Sequence, residues 1–256
     1  MTRVAVTGAT GAMGTAVRET AADRDDVTVG LLVSRSDSLT DVSVPVVSVD
    51  GLSEGLEARD IDVLVDFSVP SASTRAVTQA ATTGIGSVVG TTGFDDEERD
   101  LLQRASSSSP VLVAPNFSRG IQALIDTLDT AVERLPGYDI ELTETHHNHK
   151  RDAPSGTAER LLETIAAHRP EAERVHGRSG VAPRSDTEIG VHARRAGTIR
   201  GEHEVMLADN HEVLRLVHRA EDRGVFAAGA LDAAAWLSGR EPGWYDFSQV
   251  LTHDEP

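Results

Sequence analysis
The sequence contains no cysteine. Disulfides, thiolate nucleophiles and Cys-ligated zinc are thereby excluded. Lysine is nearly as scarce: of 24 basic residues only Lys150 is a lysine, and the other 23 (24 − 1) are arginine. No apolar run approaches the ~20 residues that span a bilayer. The N-terminus, MTRVAVTGAT, leads straight into a strand pattern and a Gly-rich turn, without the basic and apolar regions of a leader. These absences predict a soluble, intracellular protein with no membrane partner.

Acid, by contrast, is abundant. Asp and Glu total 41 and the formal net charge is −17. Nucleic-acid affinity rests on clustered Lys and Arg that release counterions, so no nucleic-acid partner is expected. Two pressures account for excess acid with arginine in place of lysine. One is concentrated salt, where the Debye length shrinks to about 3 Å at 1 M and carboxylate repulsion is screened. The other is an arginine-favouring codon usage. Under either, a single surviving lysine is conspicuous.

The chain, at 256 residues, has room for two cores. In its first half, Val-rich apolar runs at 4–8, 27–34, 44–49, 62–68, 87–90 and 111–115 read as strands buried on both faces. Helical patterns at 13–22, 71–82 and 95–105 separate several of them, which implies a doubly wound parallel sheet. After Asn116 a long helix is predicted over 118–134. Strand-type alternation follows in YDIELTETHH, TEIGVHARRAG, GEHEVMLAD and HEVLRLVHRAED, with one helix over 157–168 and a hairpin signal at Asp209-Asn210. The fold class is therefore α/β: a Rossmann-type doubly wound parallel sheet plus a second α+β domain with a mixed or antiparallel sheet. The expected domains are 1–117 for a dinucleotide and 118–223 for substrate, with the apolar helix FAAGALDAAAWLSG in a tail, 224–256, that packs back onto the first. The serine run 106–109 reads as a solvated loop.

Directly after the first strand comes Gly8-Ala9-Thr10-Gly11-Ala12-Met13-Gly14, a Gly-x-x-Gly-x-x-Gly turn opening a helix. Glycines there let backbone approach a pyrophosphate, and the helix start offers free N–H groups. At the end of the second strand, where NAD binders place an acid on the ribose hydroxyls, stands Ser34-Arg35. An arginine there suits a 2′-phosphate, so NADPH is expected to bind at least as well as NADH. Two further loops fall at strand carboxyl ends: Gly90-Thr91-Thr92-Gly93-Phe94 and Ala114-Pro115-Asn116-Phe117-Ser118.

The stretch ETHHNHKRDAPSGT, 144–157, concentrates the chemistry. On an extended chain His146 and His147 face opposite ways unless the strand ends there, so they have different roles. A histidine donates protons at neutral pH, and Lys150 supplies a fixed positive charge. Ser155 fits the N-cap of the next helix, and the amides of Gly156 and Thr157 then form an anion site. Lysine beside a helix start indicates a carboxylate or phosphate substrate.

In this order, GATGAMG, GTTGF, APNFS, ETHHNHKRDAPSGTA and RAGTIRGEH span most of the chain and closely resemble the dihydrodipicolinate (4-hydroxy-tetrahydrodipicolinate) reductase family of lysine biosynthesis. The resemblance implies an NADPH- or NADH-dependent enzyme, a homotetramer, and a cyclic dicarboxylic imine as substrate. Hydride goes to C4 of the ring, an acid protonates the neighbouring carbon, and water leaves when the hydroxylated form is the substrate. By the same resemblance His146 matches the general acid, and Lys150 the lysine that anchors a substrate carboxylate and is a second candidate proton donor. His147 matches a substrate contact, Gly156 and Thr157 the donors to the other carboxylate, and Gly8 to Met13, Gly90 to Thr92 and Ala114 to Phe117 the cofactor loops. Two positions depart from the family. Ser34 replaces the usual acid, and Ala12 stands where a basic residue is common.

Three histidines in four positions also suggest a metal site, but the adjacent lysine repels a cation and no carboxylate completes the shell from a helix. His168, His192, His211 and His253 are expected to be solvated, while Arg195 and His203 fit structural and substrate-contact roles equally. A dinucleotide-sensing regulator, or another NADP-dependent dehydrogenase, is the rival function, and fold alone does not separate them.

Overall fold
The structure, a computed structural model, describes residues 1–34 and 43–252. In chain order its elements are β1 (Thr2–Thr7), α1 (Ala12–Ala22), β2 (Val27–Val33), β3 (Val46–Val47), a 3-10 turn (Val49–Gly51), α2 (Leu52–Glu57), β4 (Val63–Asp66), α3 (Pro70–Thr82), β5 (Gly86–Val89), α4 (Asp96–Ala105) and β6 (Pro110–Val113). There follow α5 (Arg119–Arg134), β7 (Asp139–His146), α6 (Gly156–His168), β8 (Glu173–His176), β9 (Glu188–Arg195), β10 (Glu202–Asp209), β11 (Glu212–Arg219), α7 (Gly224–Leu237), β12 (Gly243–Tyr245) and α8 (Phe247–Leu251). The chain divides into two units, Met1–Ser118 with Arg223–Pro256, and Arg119–Asp222.

In the first unit seven parallel strands lie in the order β12-β6-β5-β4-β1-β2-β3. The order reverses between β1 and β4, so their carboxyl ends flank the crevice in which such sheets bind ligands. Every residue of β4 and β5 is buried, as expected of strands covered on both faces. Local chemistry starts the helices where they begin. Pro70 occupies the first turn of α3, where a missing N–H costs nothing, and Asp95 with Glu98 forms a reciprocal capping box on α4. Helix α7 lies so close to the end of the Ala114–Phe117 loop that a Cβ at Gly229 would sit 1.8 Å from the Phe117 carbonyl oxygen. That close approach explains a glycine within a helix that is mostly Ala and other apolar residues.

The second unit holds a mixed sheet, β11-β10-β7-β9-β8, antiparallel from β11 to β7 and parallel from β7 to β8. Helices α5 and α6 pack on it around Leu128, Ile140, Leu142, Leu161, Ile165 and Val205.

Several expectations need correction. The run 44–49 pairs only at Val46 and Val47, because Pro45 has no N–H to give the ladder. The β10–β11 turn centres on Asn210 and His211, both at positive φ, while Asp209 ends the strand and its carboxylate accepts the Asn210 N–H at 2.7 Å. In the serine run, Ser106 and Ser109 are buried; all four hydroxyls donate to carbonyls of the last turn of α4, closing that helix.

Candidate active site
At the end of β1 the chain turns at Gly8, whose φ of +66° is open to glycine, and a Cβ there would meet the Phe67 carbonyl oxygen at 2.1 Å. Gly14 is held equally close, its Cβ position 2.3 Å from the Gly8 oxygen. Gly11 caps α1 and donates its N–H to Gly8 at 2.8 Å. Thr10, Gly11 and Ala12 are exposed, Ala9 is buried and Met13 packs against the core. No acid lies in the first turn of α1, so nothing there opposes an anion. These residues fit a dinucleotide's pyrophosphate: the backbone is bare on its open side and packed on the other.

The other two loops converge on Phe67, a residue the sequence reading did not single out. A Cβ at Gly90 would strike the Phe67 ring at 2.1 Å, and the Phe117 ring meets it edge-on at 5.9 Å. Beneath them Asp66, fully buried at the end of β4, accepts hydroxyl protons from Thr7, from Ser68 at 2.6 Å and from Thr91 at 2.6 Å. One carboxylate thus ties the strand before the Gly-rich turn to the Gly90–Thr92 loop. Thr92 and Pro115 are exposed, Ala114 is buried, and Asn116 accepts the Ser118 N–H at 2.7 Å. Ser34 follows β2 and donates its N–H to Val47 at 3.0 Å; Arg35 lies outside the described residues.

In the second unit β7 ends at His146, so the ring is placed by a strand and the residues after it by a turn. The His146 carbonyl accepts from Ala196 at 2.9 Å, and Asn148 donates to Gly197 at 3.2 Å, which braces the turn against the residues after β9. His146 is buried, His147 half-buried and His149 exposed. Nδ1 of His146 lies 2.6 Å from Glu144, and the same carboxylate accepts two bonds from Arg195, at 2.7 and 2.6 Å. Burial pushes the Glu144 carboxyl up, but hydrogen bonds from His146 and Arg195 outweigh it and hold the group at about 2.

Ser155 caps α6, accepting the Ala158 N–H at 3.2 Å, while its own N–H donates to Glu144 at 3.2 Å. Its hydroxyl also pairs with Nε2 of His203 at 3.0 Å. Burial pushes His203 down to about 3, with His146 adding to the shift, so its ring is neutral. Gly156 is exposed and Thr157 half-buried at this helix start. Lys150 pairs with the exposed Asp152 at 2.9 Å. Such surface pairs contribute only about 0–1 kcal/mol, so a ligand carboxylate competes readily for the ammonium.

The structure therefore assembles His146, Ser155 and the start of α6 around Glu144, with Lys150 in the adjoining turn. Glu144 was missed as a site residue, although its spacing from His146 puts both side chains on one face of a strand. Arg195 and His203 emerge as partners of this cluster. His168 is exposed, as expected, and pairs with Asp129 at 2.8 Å; His192 is half-buried and pairs with Glu141 at 2.6 Å. His253 lies outside the described residues. Among the described residues no group of three His, Cys, Asp or Glu side chains could hold a metal ion, and no helix is long and apolar enough to cross a membrane.

A glycine-lined turn at a switch point, carried by the same chain as a buried histidine paired with a carboxylate and a lone ammonium, fits a dinucleotide-dependent oxidoreductase. Comparison with known proteins is more specific. Residues 2–117 match the family model described as dihydrodipicolinate reductase, N-terminus, and residues 120–251 the one described as its C-terminus. The chain belongs to the dihydrodipicolinate reductase family. It is 55% identical over 251 residues to the 4-hydroxy-tetrahydrodipicolinate reductase of Haloarcula marismortui, covering 98% of this chain and 99% of the other. The enzyme of that name from Natronomonas pharaonis is 52% identical over 250 residues, covering 97% and 99%. Among solved structures, dipicolinate-bound dihydrodipicolinate reductase from Paenisporosarcina sp. TG-14 shares the fold, with a TM-score of 0.78 at 23% identity over 96% of this chain and 97% of that one.

Proposed function
We propose that this protein reduces 4-hydroxy-tetrahydrodipicolinate to tetrahydrodipicolinate in the diaminopimelate route to lysine. The observation that carries the reading is the His146 cluster: a buried imidazole held at a strand end, beside a helix start and the only lysine of the chain. When bound, NAD(P)H supplies the hydride for C4 of the ring. Gly8, Ala9, Thr10, Gly11, Ala12 and Met13 hold its pyrophosphate, and Gly90–Thr92 with Ala114–Phe117 line the rest of the cofactor. The absence of an acid at Ser34, followed by Arg35, favours NADPH.

His146 donates the proton that the neighbouring carbon takes up. Lys150 leaves Asp152 to hold one substrate carboxylate, and Gly156 and Thr157, positioned by the Ser155 cap, hold the other. His147, the first residue of the turn after the acid, contacts the substrate. The first unit is thus the dinucleotide-binding domain and the second the substrate-binding and oligomerisation domain. Open edge strand β11 carries exposed Val213 and Val217, 58% and 54% accessible, which supports assembly into a homotetramer through this sheet. Cytoplasmic location and a salt-adapted surface complete the reading, the latter supported by 41 acidic against 24 basic residues.

The test follows NADPH absorbance with freshly made condensation product of pyruvate and aspartate semialdehyde. Oxidation above background is expected, whereas none would favour a sensing regulator or another dehydrogenase. His146→Gln should lower kcat by about 10² to 10⁴ with KM little changed, because only proton donation is removed. Lys150→Ala should lose both terms. An unchanged kcat in His146→Gln, with KM alone raised, would remove the general-acid role.

A further inference from the structure
The proton-donor reading leaves one buried charge unexplained. Glu144 has no exposed surface, yet it is ionised, and a charge so placed persists only when it is paired. Arg195, opposite His146 in the β7–β9 register, supplies the pairing and also donates to the Asp152 carbonyl at 2.6 Å. The remaining contacts of Glu144 are the His146 ring nitrogen and the Ser155 amide. We propose that Glu144 is the positioning residue of this site, fixing His146 with its proton on Nδ1 and anchoring the start of α6 through the Ser155 N–H. This inference rests on His146 being the general acid.

Two features support it beyond the hydrogen bonds. An imidazole that donates Nδ1–H to a carboxylate has only Nε2 left to carry and release a second proton. The structure keeps space beside that nitrogen: a Cβ at Gly201 would come within 3.1 Å of Nε2, so any larger residue crowds it. The same carboxylate also reaches the helix start proposed to hold substrate, so proton donor and anion site share one anchor. A cation at His146 faces Glu144 on its own strand, Arg195 on β9 through that carboxylate, the neutral His203 ring at 5.2 Å on β10, and Lys150 and Asp152 in the following turn. Of these Glu144 alone is a directly bonded anion. Neutralising it removes the acceptor that holds the Nδ1–H tautomer.

The experiment is Glu144→Gln in the full chain, which keeps the shape and removes the charge. The KM for NADPH should stay within about twofold, since its residues lie in the first unit, while kcat falls on the order of 10²-fold. Nitrogen NMR of the His146 ring, without ligand, should show loss of the Nδ1–H preference. Glu144→Asp, which keeps the charge for Arg195 but retracts it from the ring, covers failure of the first variant to fold and should act in the same direction. An unmoved tautomer overturns the proposal, even if the variant is less stable or slower. The NMR result needs no turnover, so wild-type inactivity on the substrate would remove the proton-donor reading while the tautomer still decides for or against Glu144.

Discussion

Gly229→Ala sets two effects against each other, and the structure says which prevails. In an α-helix alanine is favoured over glycine by about 0.8–1.0 kcal/mol, so propensity alone predicts a more stable protein. The added Cβ, however, would lie 1.8 Å from the Phe117 carbonyl oxygen. Ordinary contact requires α7 and the Phe117 backbone to part by about 1.5 Å or more. Overpacking of this kind costs typically 1–3 kcal/mol, and the upper end applies because the obstacle is backbone and α7 is buried along Ala227, Ala230, Leu231 and Ala234. Net destabilisation is then about 2 kcal/mol, which for a unit of this size lowers Tm by roughly 4–8 °C. The displaced backbone belongs to the Ala114–Phe117 loop, so NADPH affinity should fall as well. Gly55→Ala in α2 is the control: its nearest neighbour is the flexible end of Leu31 at 3.1 Å, and the propensity gain should offset the contact to within about 0.5 kcal/mol. Scanning calorimetry at fixed salt measures both, and a Gly229→Ala protein melting at or above wild type would refute the steric argument.

Acid should weaken the second unit in two stages. His203 sits at about 3 in the folded chain against an ordinary 6.5, so the unfolded state takes up its proton first and stability is lost as pH falls from 6.5 towards 3, at about 1.4 kcal/mol per pH unit. Glu144, held at about 2 against 4.5, adds a second loss below 4.5. Urea titrations of wild type and His203→Gln should differ in slope between pH 6.5 and 4.5; equal slopes would mean His203 is not buried neutral. If the acid excess is salt adaptation, Tm should climb steadily from dilute buffer to molar KCl as carboxylate repulsion is screened, and a flat or falling trend would favour codon usage. Val217→Glu on the open edge of the second sheet should reduce the particle mass seen by light scattering below that of a tetramer, with each subunit still folded. A wild-type monomer would dispose of that interface outright.

The sequence reveals the first sheet because the Val-rich stretches of β1, β4, β5 and β6 are largely buried and read as apolar runs. Elements whose identity depends on partners stayed hidden. Strand β12 has three residues and exists only because Gly243–Tyr245 pair with Pro110–Leu112. Polar β8 carries no alternation and is held by its register with β9, and Gly55 obscures α2 although it is what lets the helix approach Leu31. At the β10–β11 turn the Asp-Asn pair was recognised one residue early, because Asp209 is there to bind the next N–H while Asn210 and His211 take the left-handed conformation.

The site divides in the same way. Lys150 and the histidines stood out because their residue types are rare or clustered in this chain, and the Ser155 cap because helix starts have a local signature. Glu144 and Asp66 did not, since two carboxylates among 41 acidic residues carry no compositional signal and most such groups face solvent. Spacing held part of the answer: Glu144 is two residues from His146, and period-two alternation along a strand puts them side by side. No sequence signal marks Asp66, whose partners Thr7 and Thr91 come from the end of β1 and from the Gly90–Thr92 loop, 59 and 25 residues away. In an acid-rich protein, therefore, burial separates structural carboxylates from screening charge. Both groups that organise a proposed ligand loop here have no exposed surface at all.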